Sequence, residues 1–228
     1  MLKTKDSKTM KLALLLPGYL DSPDYLHMMI FEKRLQKLGY EVKRLDPCDL
    51  WKTDDAVSYT VTNYLKSIRK EIDNNIGGKP REIVLIGHSL GGFMAIMAGN
   101  KYKEVTKIIA VSPPFDFDSI KYWGSDGVRY SKRELPFDSS KFREFIVPYS
   151  FVTDRLKYPV VEVIKNLEKP LMVVIGLKDD VVLPEESEQY VKLIESAHAV
   201  RLENVGHSLK HSEDWSNQVA DEIEKYLF

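Results

Sequence analysis

The stretch GHSLGG, residues 87–92, constrains the fold of this chain more than any other part of the sequence. It follows four apolar residues, 83–86, and precedes a run of small and apolar residues typical of a buried helix. A serine between glycines at a strand-to-helix junction forms a tight turn whose central residue has a strained backbone. Gly87 and Gly91 provide the room that this turn needs. The pattern predicts that Ser89 presents its hydroxyl at the carboxyl end of a parallel sheet, where open α/β folds place their sites.

The rest of the chain alternates between predicted strands and helices. Strands are predicted over residues 11–16, 41–45, 83–86, 105–111, 171–175 and 200–202. Helices are predicted over residues 21–39, 57–77, 90–102, 184–197 and 213–227. Because strands that alternate with helices are joined by crossover connections, we expect an α/β fold with a mostly parallel sheet.

Residues 113–165 interrupt this alternation between the fourth and fifth strands. The segment is longer than a simple crossover connection needs. It also holds nearly half of the aromatic residues of the chain in less than a quarter of its length. We expect most of these rings to fill a small satellite core and the others to form the underside of a cap over an apolar pocket. Tyr122, Trp123 and Phe145 are the candidates for contact with a substrate.

The chain also contains the partners that a nucleophilic serine requires. A serine hydroxyl is a weak nucleophile, so it needs a base and a group that orients the base. The strand that ends at Ile175 leads to Asp179 and Asp180, and the last predicted strand leads to His207. The order serine, acid, histidine along the chain is the order that this strand–turn–helix motif predicts.

Together these residues resemble the α/β-hydrolase superfamily over nearly the whole chain, from Leu12 to the last helix. The resemblance rests on LPGY at residues 16–19, GHSLGG at 87–92, GLKD at 176–179 and VGH at 205–207. Within the superfamily the chain is most similar to small esterases, monoacylglycerol-lipase-like proteins and serine-aminopeptidase-like proteins.

The resemblance implies a role for five residues. Ser89 would be the nucleophile, His207 the base and Asp179 the residue that orients the base. The backbone N–H groups of Leu90 and Tyr19 would form the oxyanion hole, which stabilises the negative oxygen of the intermediate.

The resemblance also implies a three-layer fold, with helices on both faces of a parallel sheet in the strand order 2-1-3-4-5-6. We expect a sheet reduced to six strands, because only about ten residues precede the first strand. Residues 113–165 would be a cap inserted after the fourth strand. One departure from the family is Pro17-Gly18, where many members have His-Gly. Since the oxyanion hole consists of backbone N–H groups, it can still form despite this departure. The sequence leaves its exact geometry open.

Two neighbouring aspartates compete for the role of the acid. In the turn that this sequence resembles, the acid lies three residues after the glycine, and Asp179 lies three residues after Gly176. Asp180 is then expected to face the next turn. Asp118, after the fourth strand, is the fallback, because some members of the superfamily hold their acid there.

The remaining candidate side chains are predicted to be structural. His88, beside the serine, is expected to pack rather than react. His27, His198 and His211 lack the spacing of metal ligands, so we predict no metal site and no cofactor. Cys48 is the single cysteine, which excludes an intrachain disulfide and fits a reducing compartment. Its thiol is expected to be inert.

Composition restricts the class of protein. A chain of 228 residues, 43% hydrophobic and 29% charged, suits one domain spanning residues 1–228. The formal net charge of −1 argues against nucleic acid or an anionic membrane as the partner. The apolar run 12–16 is too short for a signal peptide or a membrane span. We therefore expect a cytoplasmic protein that acts on a small molecule, with its oligomeric state open.

Three functions are compatible with these residues. The favoured one is a serine hydrolase that cleaves an ester, or a thioester or amide, through an acyl-enzyme and prefers an apolar acyl or alcohol group. The second is a homologue without catalytic activity that binds a ligand or a partner. The third is an enzyme that breaks a carbon–carbon bond with the same three residues.

Overall fold

The structure is a computed structural model that describes residues 10–77, 80, 82–115 and 124–228. Its strands are β1 (Lys11–Leu16), β2 (Tyr40–Arg44), β3 (Glu82–His88), β4 (Lys107–Val111), β5 (Val128–Leu135), β6 (Asp138–Pro148), β7 (Leu171–Gly176) and β8 (His198–Leu202). Six of them form a parallel sheet in the order β2-β1-β3-β4-β7-β8. Because β5 and β6 lie outside this sheet, the predicted order 2-1-3-4-5-6 is confirmed.

Helices cover both faces of the sheet. They are α1 (Leu26–Lys37), α2 (Leu50–Thr53), α3 (Val61–Ile76), α4 (Leu90–Lys101), α5 (Ser150–Arg155), α6 (Val160–Ile164), α7 (Pro184–Leu193) and α8 (Glu213–Leu227). Apolar residues of α1 and α8 pack on one face, and those of α3, α4 and α7 pack on the other. The predicted three-layer α/β fold is therefore confirmed. Within the described residues, none of these helices has the length and apolarity needed to cross a bilayer.

Strand β1 shows why the core strands are apolar without interruption. Leu12, Leu14 and Leu16 belong to the core on the α3 and α4 side, whereas Ala13 and Leu15 belong to the core under α1 and α8. All five side chains are fully buried. Successive side chains of a strand point to opposite faces, so a strand that is covered on both faces has no position for a solvated residue.

Helix α1 begins five residues later than the predicted start at residue 21. The carbonyl of Ser22 accepts a hydrogen bond from the N–H of Tyr25 at 3.3 Å, and its hydroxyl accepts one from the N–H of Asp24 at 3.1 Å. These bonds form a turn before the helix, because a serine hydroxyl competes with helical hydrogen bonding. The turn leaves Asp21 in the loop after β1 instead of in the helix.

Helix α3 also begins later than predicted, at Val61 instead of residue 57. The hydroxyl of Thr60 accepts a hydrogen bond from the N–H of Asn63 at 3.2 Å and so caps the helix. Val57, the first residue of the predicted helix, is 69% exposed. The helix therefore begins directly after its capping residue, Thr60, and not at the first apolar residue of the pattern.

The segment after β4 contains a feature that the sequence did not predict. Strands β5 and β6 pair as an antiparallel hairpin, with Tyr130 opposite Ile146. The side chains of Tyr130 and Ile146 are 71% and 55% exposed, whereas that of Phe145 is 1% exposed. The hairpin thus has an exposed outer face and a buried inner face. The predicted substrate contacts Tyr122 and Trp123 lie outside the described residues.

The inner face of the hairpin packs on α2 and the residue after it. The ring of Phe145 packs edge-on against that of Trp51, with 5.6 Å between the centroids. Arg143 donates to the carbonyl of Trp51 and lies 2.9 Å from a carboxylate oxygen of Asp54. Phe145 therefore belongs to the main apolar core on the α3 and α4 side of the sheet and not to a separate satellite core. Its contact with a substrate stays a prediction.

Candidate active site

Ser89 lies at the junction of β3 and α4 in a backbone conformation that few residues adopt. Its φ of 55° and ψ of −123° place it at positive φ, which costs on the order of 1–3 kcal/mol for a residue other than glycine. Three hydrogen bonds hold it there. Its N–H donates to the carbonyl of Val111 at 2.8 Å, and its carbonyl accepts from the N–H groups of Gly92 and Phe93 at 2.8 and 3.2 Å.

The two glycines around Ser89 are required by close backbone contacts. A Cβ atom on Gly87 would lie 2.0 Å from the carbonyl oxygen of Gly91. A Cβ atom on Gly91 would lie 2.0 Å from the carbonyl oxygen of Leu16, at the end of β1. Because both neighbours are backbone atoms, no side-chain movement relieves these contacts. The turn at Ser89 therefore accepts only glycine at either position.

Three loops at the carboxyl edge of the sheet bring Ser89, His207 and Asp179 together. The Nε2 atom of His207 lies 3.0 Å from the Oγ of Ser89, and its Nδ1 atom lies 2.8 Å from Oδ2 of Asp179. The side chain of His207 is 12% exposed and that of Asp179 is 1% exposed. With Nδ1 protonated and donating to Asp179, Nε2 is the nitrogen that accepts the Ser89 proton.

The structure separates the two candidate aspartates. Oδ1 of Asp179 accepts hydrogen bonds from the N–H groups of Val181 and Val182, at 3.0 and 2.8 Å. Its other oxygen faces His207. Asp180 is exposed. The fallback acid, Asp118, lies outside the described residues.

Burial alone would raise the pKa of Asp179, because a carboxylate loses hydration inside a protein. The hydrogen bond and charge of His207, the N–H of Val182 and the hydroxyl of Ser112 outweigh burial, so the pKa of Asp179 is lowered from its ordinary value. The carboxylate is therefore charged at neutral pH, which is the state that orients an imidazole and stabilises its protonated form.

Sequence reasoning missed the contribution of Ser112. This buried residue directly follows β4, and its φ is 46°. Its N–H donates to the carbonyl of Val174 at 2.8 Å, while its hydroxyl contributes to the lowered pKa of Asp179. The available signal was its position, since a polar residue directly after a core strand lies at the same edge of the sheet as Ser89.

The other histidines differ from His207 in their surroundings. His211 bonds to Glu134 through Nε2 at 2.7 Å, and His198 stacks on Tyr226 with 5.6 Å between the ring centroids. The ring of His88 is buried, 4.9 Å from that of His207. Among the described histidines, His207 is the one within hydrogen-bonding distance of the Ser89 hydroxyl.

Two backbone N–H groups predicted for the oxyanion hole belong to the loops next to Ser89. Within the described part of the chain, the N–H groups of Tyr19 and Leu90 donate to no protein acceptor. Leu90 is the first residue of α4, where N–H groups are unpaired and the helix dipole favours negative charge. Gly18 lies against Ser89, because a Cβ atom on it would be 3.4 Å from the Ser89 Cβ.

This arrangement of strands and loops agrees with a comparison to known families. A family model described as the alpha/beta hydrolase family matches residues 12–222. The chain belongs to the alpha/beta hydrolase family. A search of curated proteins finds no match to this α/β hydrolase.

Solved structures of several esterases share the fold. Est1E from Butyrivibrio proteoclasticus is 16% identical, with a TM-score of 0.75, over 96% of this chain and 88% of the other. The esterase domain of a Rhodothermus marinus protein is 17% identical, with a TM-score of 0.70, over the same shares. The Pyrococcus furiosus esterase Pf2001 is 22% identical, with a TM-score of 0.60, over 97% of this chain and 82% of the other. At these identities the likeness shows the fold.

Asp21, His27 and His88 form a cluster in this α/β hydrolase, with one ligand-type atom from each within 4.8 Å of the others; the two histidines are buried and Asp21 is partly buried. Burial lowers the pKa of His27 to about 3, and that of His88 falls well below its ordinary value for the same reason. Neutral imidazoles and a carboxylate are metal ligands in proteins. However, the Asp21 carboxylate already faces the positive charges of Arg133 and Lys210, which oppose a further cation. We therefore place no metal ion there.

Cys48 lies apart from this site, near the start of α2. Burial is the largest influence on its thiol and raises the pKa to about 11. A thiol with so high a pKa is protonated at neutral pH and is a poor nucleophile.

Proposed function

We propose that this α/β hydrolase is a serine hydrolase that cleaves esters through an acyl-enzyme. The observation that carries the proposal is the continuous series of hydrogen bonds from Ser89 Oγ through His207 to Asp179, at 3.0 and 2.8 Å. A serine bonded to a base that is itself bonded to an orienting acid is the arrangement that activates a hydroxyl.

In the first half of the reaction, Oγ of Ser89 attacks the carbonyl carbon of the ester while Nε2 of His207 takes the hydroxyl proton. Asp179 stabilises the imidazolium that forms. The carbonyl oxygen becomes negative and accepts hydrogen bonds from the N–H groups of Tyr19 and Leu90. Such donors lower the barrier by roughly 3–4 kcal/mol each in serine hydrolases.

The intermediate then collapses. The bond from carbon to the alcohol oxygen breaks, and His207 gives its proton to the departing alcohol, which leaves an acyl group on Ser89. In the second half, a water molecule attacks the acyl carbon while His207 accepts its proton. His207 returns that proton to Oγ of Ser89, and the carboxylic acid leaves.

One observation supports an ester with an apolar or aromatic acyl or alcohol group as the substrate, and a second supports a cap over the site. Several solved proteins that share the fold are esterases, and Est1E has been solved with ferulic acid bound, which is an aromatic acid. Residues 113–165 supply the second observation: the hairpin β5–β6 reaches the loop beside Ser89 through Arg133, which donates to the carbonyl of Tyr19. We propose that this segment is the cap of the site within one α/β-hydrolase domain.

A fluorophosphonate probe is expected to label the protein at Ser89, because an activated serine displaces fluoride from the probe and is phosphonylated much faster than an ordinary hydroxyl. Mass spectrometry of the labelled peptide measures the position. The Ser89→Ala variant is the matched control and is expected to lose the label completely. Label that persists in Ser89→Ala contradicts Ser89 as the nucleophile. A folded wild-type protein that takes up no label favours the binding function without catalysis.

A series of 4-nitrophenyl esters that differ only in the acyl group is expected to show the preference of the cap. Because aromatic side chains are concentrated in residues 113–165, we expect kcat/KM to rise from acetyl to longer alkyl or aryl acyl groups. Each buried CH₂ group contributes about 0.8 kcal/mol, or roughly a fourfold gain. Turnover confined to charged acyl groups contradicts the proposed apolar pocket.

A further inference from the structure

The position of the Tyr19 N–H depends on the two peptide planes that flank the residue. Each peptide unit is planar and trans, so its N–H and C=O point in opposite directions. Fixing the carbonyl of one plane therefore fixes the direction of the N–H in the same plane. The structure shows a different set of contacts on each of the two planes.

The first plane joins Gly18 to Tyr19 and contains the N–H of Tyr19. Its carbonyl, on Gly18, accepts a hydrogen bond from the N–H of Asp21 at 3.1 Å and one from the hydroxyl of Tyr59 at 3.4 Å. Both donors lie on the carbonyl side. The N–H of Tyr19 is therefore directed the opposite way, and it has no protein acceptor in the described part of the chain.

The second plane joins Tyr19 to Leu20. Its N–H, on Leu20, donates to the hydroxyl of Tyr59 at 3.2 Å. Its carbonyl, on Tyr19, accepts from Nε and Nη2 of Arg133 at 3.3 and 3.0 Å. Leu20 has a φ of 57°, in the left-handed region that costs a non-glycine residue roughly 1–2 kcal/mol. This plane therefore depends on outside contacts to keep its orientation.

We propose that Arg133 is a positioning residue that holds the oxyanion hole in its working geometry, an inference that rests on the proposed function. Arg133 comes from β5 of the hairpin, whereas Tyr59 belongs to the loop before α3. Arg133 binds the carbonyl of Tyr19 with two donors, and this carbonyl shares its Cα with the N–H of the hole. A cap residue thus holds the peptide plane next to the one that contains a catalytic backbone N–H, and it restricts rotation at the Cα that the two planes share.

The chemistry of arginine suits this role. Its guanidinium is planar and always charged, and it presents donors in a fixed fork, so two hydrogen bonds to one carbonyl restrict both distance and angle. Nε of Arg133 also lies 3.8 Å from a carboxylate oxygen of Asp21, whose own N–H holds the Gly18 carbonyl. The same guanidinium therefore contacts both ends of the turn that contains Tyr19.

The neighbouring residue of β5 connects the hairpin to the loop of the base. Glu134 accepts from Nε2 of His211 at 2.7 Å and lies 3.4 Å from Nζ of Lys210, a few residues after His207. Adjacent residues of one strand thus bind the oxyanion loop and the base loop. The position of the hairpin relative to the sheet therefore affects the position of the oxyanion hole relative to His207.

Arg133→Ala is expected to lower kcat by about 10–100-fold, below the 10²–10³ loss seen when an oxyanion donor is removed outright. KM is expected to stay within about threefold, because the hole binds the transition state better than the ground state. Affinity for a boronic acid, which forms a tetrahedral adduct on Ser89 Oγ, is expected to fall by the same factor as kcat/KM. The affinity for the ether analogue of the 4-nitrophenyl ester, which the enzyme cannot hydrolyse, is expected not to change.

Arg143→Ala is the matched control. Arg143 also belongs to the hairpin and also donates to a main-chain carbonyl, but that carbonyl is on Trp51, outside the oxyanion loop. We expect kcat and boronic acid affinity within about threefold of the wild type for this variant. Arg133→Lys, which keeps the charge but loses the fork, is expected to fall between the wild type and Arg133→Ala.

Hydrogen exchange at the Leu20 amide tests the contact between Arg133 and the carbonyl of Tyr19 without a measurement of turnover. It is expected to be faster in Arg133→Ala and unchanged in Arg143→Ala. If the wild-type protein hydrolyses no ester, the proposed function fails, while this measurement still tests the contact. Unchanged exchange, or an Arg133→Ala variant with kcat and boronic acid affinity like those of the wild type, overturns the proposal. Equal losses of kcat in Arg133→Ala and Arg143→Ala overturn it as well, because they indicate only that the hairpin no longer packs against the rest of the protein.

Discussion

Replacing His207 with alanine is expected to lower kcat by on the order of 10⁶-fold, about as much as the loss of Ser89 itself. Without the imidazole, the Ser89 hydroxyl has no base at 3.0 Å and the leaving alcohol has no acid to protonate it. KM is expected to change little. Hydrolysis of a 4-nitrophenyl ester in steady state measures the effect, and a thermal unfolding curve checks that the variant is folded.

His211→Ala is the control for the loss of a nearby imidazole. His211 lies in the same loop but bonds to Glu134 on the hairpin, and its side chain is 51% exposed. We expect this variant to keep kcat within about tenfold of the wild type. If His211→Ala is inactive while His207→Ala keeps its activity, the assignment of His207 as the base is wrong.

Replacing Asp179 with asparagine is expected to lower kcat by on the order of 10⁴-fold. The amide keeps the size of the side chain but loses the negative charge, so it neither holds the required tautomer of His207 nor stabilises the imidazolium. The loss is smaller than that for His207→Ala because the base itself remains. The measurement is kcat for the same 4-nitrophenyl ester.

Asp180→Asn is the matched control, because it makes the same chemical change one residue later at an exposed side chain. We expect its kcat to stay within about threefold of the wild type. The reverse ranking of the two variants contradicts Asp179 as the orienting acid. A loss seen only in Asp118→Asn assigns the acid to the segment after β4 instead.

The order of the strands was predictable because the motifs around Ser89, Asp179 and His207 resemble the α/β-hydrolase superfamily, and the resemblance implies that order. Continuous apolar runs marked the core strands, and the helices between them required crossover connections of one hand, which restricts the sheet to few topologies. The glycines around Ser89 were equally informative. A Cβ atom at either position would lie 2.0 Å from a backbone oxygen. Both positions therefore require glycine, and this requirement can be read in the sequence.

The ends of the helices and the shape of the inserted segment were less predictable. Helix α1 begins at Leu26 and α3 at Val61 because Ser22 and Thr60 bind neighbouring N–H groups. Apolar spacing carries no information about such bonds. The aromatic residues of 113–165 indicated a cap, yet the hairpin β5–β6 was not foreseen. Its exposed face mixes apolar side chains such as Tyr130 and Ile146 with the ion pair of Lys132 and Glu144, so polar and apolar residues do not alternate regularly along its strands.

The sequence by itself determined the α/β class and the positions of Ser89, Asp179 and His207 in loops at one edge of the sheet, and its resemblance to the superfamily implied the order of the parallel strands. Only the tertiary structure decided that these three side chains lie within hydrogen-bonding distance, that Ser112 supports Asp179 and that Arg133 holds the carbonyl of Tyr19. The physical reason is the range of the interactions. Turns and periodic apolar faces are formed by residues close in sequence, whereas a side chain that binds a distant backbone group depends on how whole elements pack.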